Sequence, residues 1–337
     1  MCFGVVDCGF ALDNYAVWWG NKSSRDARPS DKIQSFKIPA ELRQNKNGSP
    51  VAGYDHALVL LADGTVFGIG RNYFGQSLGY PTTNGAVVSG LVRPNNQTLS
   101  NVVAVAAGWN HGLAHNEDGS VSLWGRDFFG RNIQIRGGFS NIAHIAASYS
   151  KPVGLDRSGK VIDLVSGMAV SQLVGTDFQA FLSHKKERLS GLALTDAGSI
   201  LPWSEKGVVG FSKVPTFDEP IKAVSCGGSF SLVLTANDSL HCWTENYEAY
   251  LTTNTLPFKK ELLEKGTNGP KRIVAVSASN NVNLLLRADG TVEKWGIDPK
   301  DDFAVPMGLS NVVAIAAGQT FCIAITTNAV VAERFKR

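Results

Sequence analysis

Sixteen residues separate a small or polar residue from a large apolar one at six places along this chain. Counting sixteen on from Gly53, Gly108, Ser148, Glu187, Gly227 and Ser279 reaches Ile69, Trp124, Leu164, Trp203, Trp243 and Trp295. Four of the seven tryptophans therefore share one repeated position. Near the middle of each interval lies a turn signal: Asp63-Gly64, Asp118-Gly119, Ser158-Gly159, Ala197-Gly198, Asn237-Asp238 and Asp289-Gly290. A tight two-residue turn calls for positive φ, which Gly, Asn and Asp tolerate best, so each interval is a strand, a hairpin and a second strand. Self-similarity at a period of about 40 to 50 residues denotes a repeat architecture, and short strands within each repeat point to propeller blades. The expected fold is all-β: a seven-bladed β-propeller.

The clearest copy is NVVAVAAGWNHGLAHNEDGSVSLWGRDFFG at 101–130, whose opening recurs as NVVAIAAG at 311–318. Bulky Val or Ile alternates there with Ala, Ser or Gly, as suits an innermost strand whose backbone crowds the ring axis. A buried indole at each repeated endpoint serves as a wedge between one blade and the next. The chain then forms a single domain, 1–337, with blades starting near 53, 108, 148, 187, 227, 279 and 318. Sixteen past Gly318 stands Arg334, not an aromatic, so the last blade lacks a strand. Residues 16–21, AVWWGN, supply one, and pairing of the N- and C-terminal strands would close the ring and remove its free edge. Residues 330–335, VVAERF, are the alternative source. Within the long segment 245–270, PFKKELLEKG at 257–266 has the start and stop of a short helix.

Composition narrows the function classes. A net charge of +3 spread over scattered basic residues gives no nucleic-acid footprint. No run approaches the ~20 apolar residues of a membrane span. The five cysteines are odd in number and have no C-x-x-C spacing, which argues against a disulfide framework or a zinc site. The opening MCFGVVDCGFALDN has no basic segment ahead of its apolar run, so the expected location is cytoplasmic and the protein soluble. No metal site or nucleotide fingerprint is present, and GIGRNYFG at 68–75 lacks the helix and later acid of a dinucleotide loop. No cofactor is expected.

Gly-x-x-His, Asp-Gly-x-Val and Trp-Gly occur together in 108–125 and in part in 53–70. With these elements the chain resembles the regulator of chromosome condensation repeat family over nearly its whole length, the copies at 148–167 and 187–204 being eroded. The resemblance implies a seven-bladed propeller. It is also similar in compactness and single-domain layout to the propeller-type β-lactamase inhibitors, with Val-Pro steps at Val214-Pro215 and Val305-Pro306.

Three residues follow each blade start and are expected to ring one mouth of the central channel. They include Tyr54, Asp55 and His56; Trp109, Asn110 and His111; Tyr149 and Lys151; Arg188; Phe230; Asn280; and Gln319. Aromatic faces, amides and a few charges on one concavity form the composition of a binding surface. His56 and His111 also have a structural role open to them, a hydrogen bond from the imidazole to a neighbouring backbone. Two functions stay open. In one, a binding module grips a protein partner or an apolar small molecule at the central face. In the other, a cofactor-free enzyme of natural-product assembly closes a ring on an apolar substrate, for example by a hetero-Diels–Alder cycloaddition. His111, Asn110, Lys151 and Tyr149 would then polarise the reacting group.

Overall fold

A computed structural model describes residues 13–20, 33–38, 50–82, 87–127, 130–133, 138–148, 151–173, 178–183, 190–204, 217–227, 230–244, 272–279, 282–295 and 304–334. The strands in chain order are β1 (Tyr15–Trp19), β2 (Ile33–Lys37), β3 (Val51–Ala52), β4 (His56–Leu60), β5 (Val66–Gly70) and β6 (Val88–Leu91). Next come β7 (Val102–Ala107), β8 (Asn110–Asn116), β9 (Val121–Arg126), β10 (Ile142–Ala147), β11 (Pro152–Asp156), β12 (Lys160–Asp163) and β13 (Ala169–Gln172). The next five are β14 (Phe178–Ser183), β15 (Ser190–Thr195), β16 (Ile200–Ser204), β17 (Ile221–Cys226) and β18 (Phe230–Thr235). The last six are β19 (Leu240–Thr244), β20 (Ile273–Ala278), β21 (Asn283–Arg287), β22 (Val292–Trp295), β23 (Val312–Ala317) and β24 (Cys322–Thr326). Among the described residues one α-helix, α1 (Ala329–Arg334), follows. The helix predicted at 257–266 lies outside the described residues. No helix among the described residues is long and apolar enough to cross a membrane.

These strands make seven antiparallel sheets, each a meander of three or four strands. Six take consecutive strands: β3–β6, β7–β9, β10–β13, β14–β16, β17–β19 and β20–β22. The seventh has the order β2-β1-β24-β23, uniting the two ends of the chain. First strands touch in succession: β3 meets β7, then β10, β14, β17, β20 and β23 follow, and β23 returns to β3. Side chains tie some of these contacts. The Ser225 hydroxyl oxygen accepts the Ala278 N–H at 2.9 Å, and Ser277 takes the Ala317 N–H at the same distance.

The repeated endpoint has a register. Trp124 stands opposite Gly112, Trp203 opposite Gly191, Trp243 opposite Ser231, Trp295 opposite Asn283 and Ile69 opposite Ala57, always four residues past the unit start. Trp124 packs with Leu58, Leu60 and Val66 of the preceding sheet, and Trp203 with Val153, Leu155 and Val161 of its own predecessor. In the seventh sheet the residue four past Gly318 is Cys322, and its partner across the ladder is Trp19. Trp19 packs on Val282, Leu284 and Leu286 of the sheet before it. The missing wedge is therefore delivered by the N-terminal strand, complete with the Trp19-Gly20 pair that matches Trp124-Gly125. Residues 329–334 form α1 instead, so the alternative of a strand from 330–335 does not hold.

The hairpins sit where the turn signals place them, but each is one residue longer than a two-residue turn. Leu61 N–H donates to Thr65 O at 2.9 Å and Gly64 N–H to Leu61 O at 3.0 Å, which frames a three-residue loop ending at Gly64, φ +78°. That is a type I turn followed by a left-handed residue. It recurs at Gly119, Gly198, Asp238 and Gly290, with φ between +67° and +83°. A single positive-φ position explains why Asp or Ala suffices before the glycine.

Candidate functional site

In a meander the connections alternate between the two edges of a sheet, so the links from first to second strand and from third to fourth share one edge. The first-to-second links have a common frame. Gly53 N–H donates to His56 O at 2.8 Å, Gly108 to His111 at 2.9 Å, Ser148 to Lys151 at 3.0 Å, Ser279 to Val282 at 3.1 Å and Gly318 to Phe321 at 2.9 Å. Within that frame the first and fourth residues compensate one another. Where the fourth is a ring, the first is glycine, because a Cβ on Gly108 would come 2.2 Å from His111 Cε1 and one on Gly318 equally close to Phe321 Cε1. Where the first is serine, the fourth is Lys151 or Val282, and the serine hydroxyl fills the space by donating to that residue's carbonyl, at 3.0 and 2.7 Å.

The histidine of Gly-x-x-His thus behaves as a filler of fixed shape. His56 and His111 are fully buried in β4 and β8. The backbone hydrogen bond expected of His111 is not made among the described residues, where neither ring nitrogen has a partner. Burial, against a weaker opposing field from Asp127, pushes its pKa down to about 4, so the ring is neutral at physiological pH. Gly108→Ala should cost about 1–3 kcal/mol by overpacking, and Gly108→Ser combined with His111→Val, which copies the Ser279/Val282 pair, should recover most of it. Urea midpoints of the three proteins measure this, and a Gly108→Ala variant as stable as the parent refutes it.

Three of these links are stitched together. Tyr54 N–H donates to Gly108 O at 3.2 Å, and Gln319 N–H donates to Gly53 O at 3.3 Å. The Thr320 N–H and hydroxyl both reach Tyr54 O, at 3.2 and 3.0 Å. Held in this way, the Tyr54 and Trp109 rings stack with centroids 3.8 Å apart and planes 16° off parallel. They are half-buried and bridge the first and second sheets.

Beside this pair lies the connection 71–82, whose first residues belong to the stretch rejected as a dinucleotide loop. Asn72 is buried and organises it: its side-chain oxygen accepts the Ser77 and Leu78 N–H groups, both at 3.0 Å, and its amide donates to Tyr80 O at 2.7 Å. Gln76, also buried, accepts the Phe74 N–H at 2.9 Å and donates to Asp55 Oδ1 at 3.2 Å. Its carbonyl takes the Trp124 indole N–H at 3.0 Å. This rigid loop presents Tyr73 and Tyr80, each 41% exposed. The Arg126 guanidinium lies 5.6 Å from the Phe74 ring centroid. Asp55, with its carboxyl drawn out of water against this loop, is pushed up to about 6 by burial, offset in part by the Gln76 bond and Arg71.

The remaining expected positions divide. Asn110 is buried in β8, and Lys151 turns toward Asp163, 3.5 Å away, so the polarising groups Asn110, His111 and Lys151 do not converge on one open point. Gln319 belongs to the stitched links. Tyr149, Arg188 and Asn280 lie outside the described residues, and Phe230 is described by its backbone alone. Among the described residues no cluster of three or more His, Cys, Asp or Glu has the spacing of a metal site.

Residues 51–76 and 221–247 match the regulator of chromosome condensation (RCC1) repeat. These two segments are RCC1-like repeats. The first segment takes in the link that carries Tyr54 and the start of the loop beside it, as far as Gln76. The human and mouse E3 ubiquitin-protein ligase HERC2 are each 27% identical over 259 residues, 72% of this chain and 5% of those proteins. This RCC1-like chain therefore spans a twentieth of the curated relatives it matches. Among solved structures, Prp20p from Saccharomyces cerevisiae aligns with TM-score 0.67 at 15% identity, covering 96% of this chain and 94% of that one. Human WBSCR16 aligns with TM-score 0.58 at 16% identity, covering 93% and 98%. These likenesses show the fold alone, that of the yeast RCC1 (Prp20) propeller.

Proposed function

We propose that this chain is a protein-binding module: seven blades in one ring, closed by the pairing of β1 with β24, that grip a partner by the edge carrying Tyr54 and Trp109. The stacked Tyr54–Trp109 pair carries the reading. It joins two sheets through stitched backbone, and next to it the Asn72-braced loop holds Tyr73 and Tyr80 toward solvent. Tyrosine, tryptophan and arginine on a preorganised surface are the residues that dominate binding energy between proteins, because they bury large area at small entropic cost. The Prp20p structure is described with that protein's binding to Gsp1p and histones, and a second structure shows it bound to Kap60, which supports protein recognition as the use of this fold. The ring-closing enzyme draws no support from Asn110, His111 and Lys151, whose side chains are buried or turned to Asp163.

A photo-crosslinking residue in place of Tyr73 should capture a partner that the same residue in place of Asp289, at the opposite edge, does not. With that partner purified, Trp109→Ala and Tyr54→Ala should each weaken binding by about 1–3 kcal/mol, read by calorimetry. Capture from both edges alike, or unchanged affinity in both variants, would sink the assignment.

A further inference from the structure

The opposite edge of the sheets holds a cleft of about 680 Å³. One wall is the segment 94–101 leading into β7, and the other is the hairpin 116–123 of the second sheet. Both walls are fixed. Glu117 N–H donates to Asn101 O at 2.8 Å, Leu99 N–H to Val92 O at 3.2 Å, and Val102 N–H to Gly64 O at 3.0 Å. Asp118 Oδ1 accepts the Ser120 N–H at 2.9 Å, which locks the carboxylate at the turn. The lining contains two carboxylates, Glu117 and Asp118, with amides and hydroxyls around them, and among the described residues no lysine, arginine or histidine. At two other hairpins an acid is already paired, Asp238 with the Lys222 ammonium at 2.7 Å and Glu293 with the Arg287 guanidinium, whereas Asp63, Asp156 and Asp289 accept the same turn bond as Asp118 but do not line this cleft. Apolar surface is supplied by Pro94, Leu99 and Leu123, and among the described residues no aromatic ring lines it for a sugar to stack on.

We propose that this cleft receives a lysine or arginine side chain from a basic segment of a polypeptide. The volume suits a few residues of extended chain. The aliphatic stem would lie on Leu99, Leu123 and Pro94 while the cationic head meets the two carboxylates, a charge-assisted bond stronger than a neutral one. An anionic ligand meets like charge there. The hydroxyls and amides of Ser100, Asn101 and Ser122 remain for the peptide backbone. Because the cleft opens on the edge away from Tyr54 and Trp109, the module could hold two partners at once.

The test uses two labelled octapeptides, alternating Gly with Arg or Gly with Glu, and fluorescence anisotropy on the intact chain. The arginine peptide should bind, more weakly as salt rises, and the glutamate peptide should not. Glu117→Gln with Asp118→Asn should weaken binding by about tenfold or more. That variant keeps the turn, since Asn237 already holds the matching place in the β18–β19 hairpin and accepts the Ser239 N–H at 3.0 Å. Asp156→Asn with Asp289→Asn removes the same charge from two other hairpins and should change affinity less than about twofold if the cleft, and not the general field, is responsible. Equal weakening in both double variants, full affinity after the Glu117/Asp118 change, or no binding of the arginine peptide overturns the proposal.

Discussion

Trp19→Ala should lower the stability of the whole chain by about 3–5 kcal/mol, the cost of removing a buried indole and leaving its cavity. Trp19 is 1% exposed and packs on Val282, Leu284 and Leu286 of the neighbouring sheet while pairing with Cys322 at the far end of the sequence. It therefore supports two joints at once. Trp203→Ala, at the same register position in the fourth sheet, is the matched control and should cost a similar amount. Guanidinium unfolding measures both through the midpoint, with the slope unchanged if the transition stays cooperative. A second arm removes 1–32. That takes away β1 and leaves the β24 ladder edge open, so the truncated chain should self-associate, as unprotected edges do, and light scattering would show it. A monomeric truncation of unaltered stability, or a Trp19→Ala midpoint equal to the parent's, would show that this strand is not needed for the stability of the fold.

The wedge, the turns and the N-terminal strand were legible because each is a local signal repeated at fixed spacing. Sixteen residues is the length of a link, two strands and a three-residue hairpin, so the spacing survives wherever the turn does. It fails after Gly318 because the chain ends its last unit with a strand from residues 15–19, and no spacing along the sequence spans that join. The site was read only in part, for the same reason. Tyr54 and Trp109 share a repeat position and could be found by it. The loop that braces them depends on Gln76, bound to Asp55 twenty-one residues back and to Trp124 forty-eight ahead. Such contacts join unlike positions of adjacent units and leave no periodic trace. Gly-Ile-Gly-Arg-Asn-Tyr-Phe-Gly at 68–75 was set against a nucleotide loop, when its meaning lay in Asn72, together with Gln76 just beyond it, closing the loop on itself. His111 misled in another way. Histidine suggests a hydrogen bond, whereas Phe321 in the same place shows that what the position asks for is a ring against a glycine.

That equivalence leads to the pH behaviour of Asp55 and His111, whose contributions have opposite signs. His111 has a folded pKa near 4 against 6.5 for the free side chain. As pH falls through 6.5 the unfolded chain takes up a proton that the folded one refuses, so stability declines until about pH 4, by about 3 kcal/mol in all. His115, lowered chiefly by burial, acts in the same direction. Asp55 has a folded pKa near 6 against 3.8. Its ionised form is unfavourable in the folded state at pH 7, and as pH falls from about 6 toward 3.8 the folded state protonates first and gains up to about 3 kcal/mol, less whatever its residual contact with water screens. The parent protein should therefore show a shallow profile between pH 6.5 and 4.5. Asp55→Asn removes the compensating slope, so its stability should exceed the parent's at pH 7.5 and then fall steadily on acidification. His111→Phe, with the ring that Phe321 already places in this frame, removes the opposing slope and should gain stability from pH 6.5 to 4.5, besides removing two buried nitrogens that have no partner among the described residues. Urea unfolding of the three proteins at half-unit intervals decides the matter, and slopes of the same sign in both variants would show that these two groups do not set the acid response.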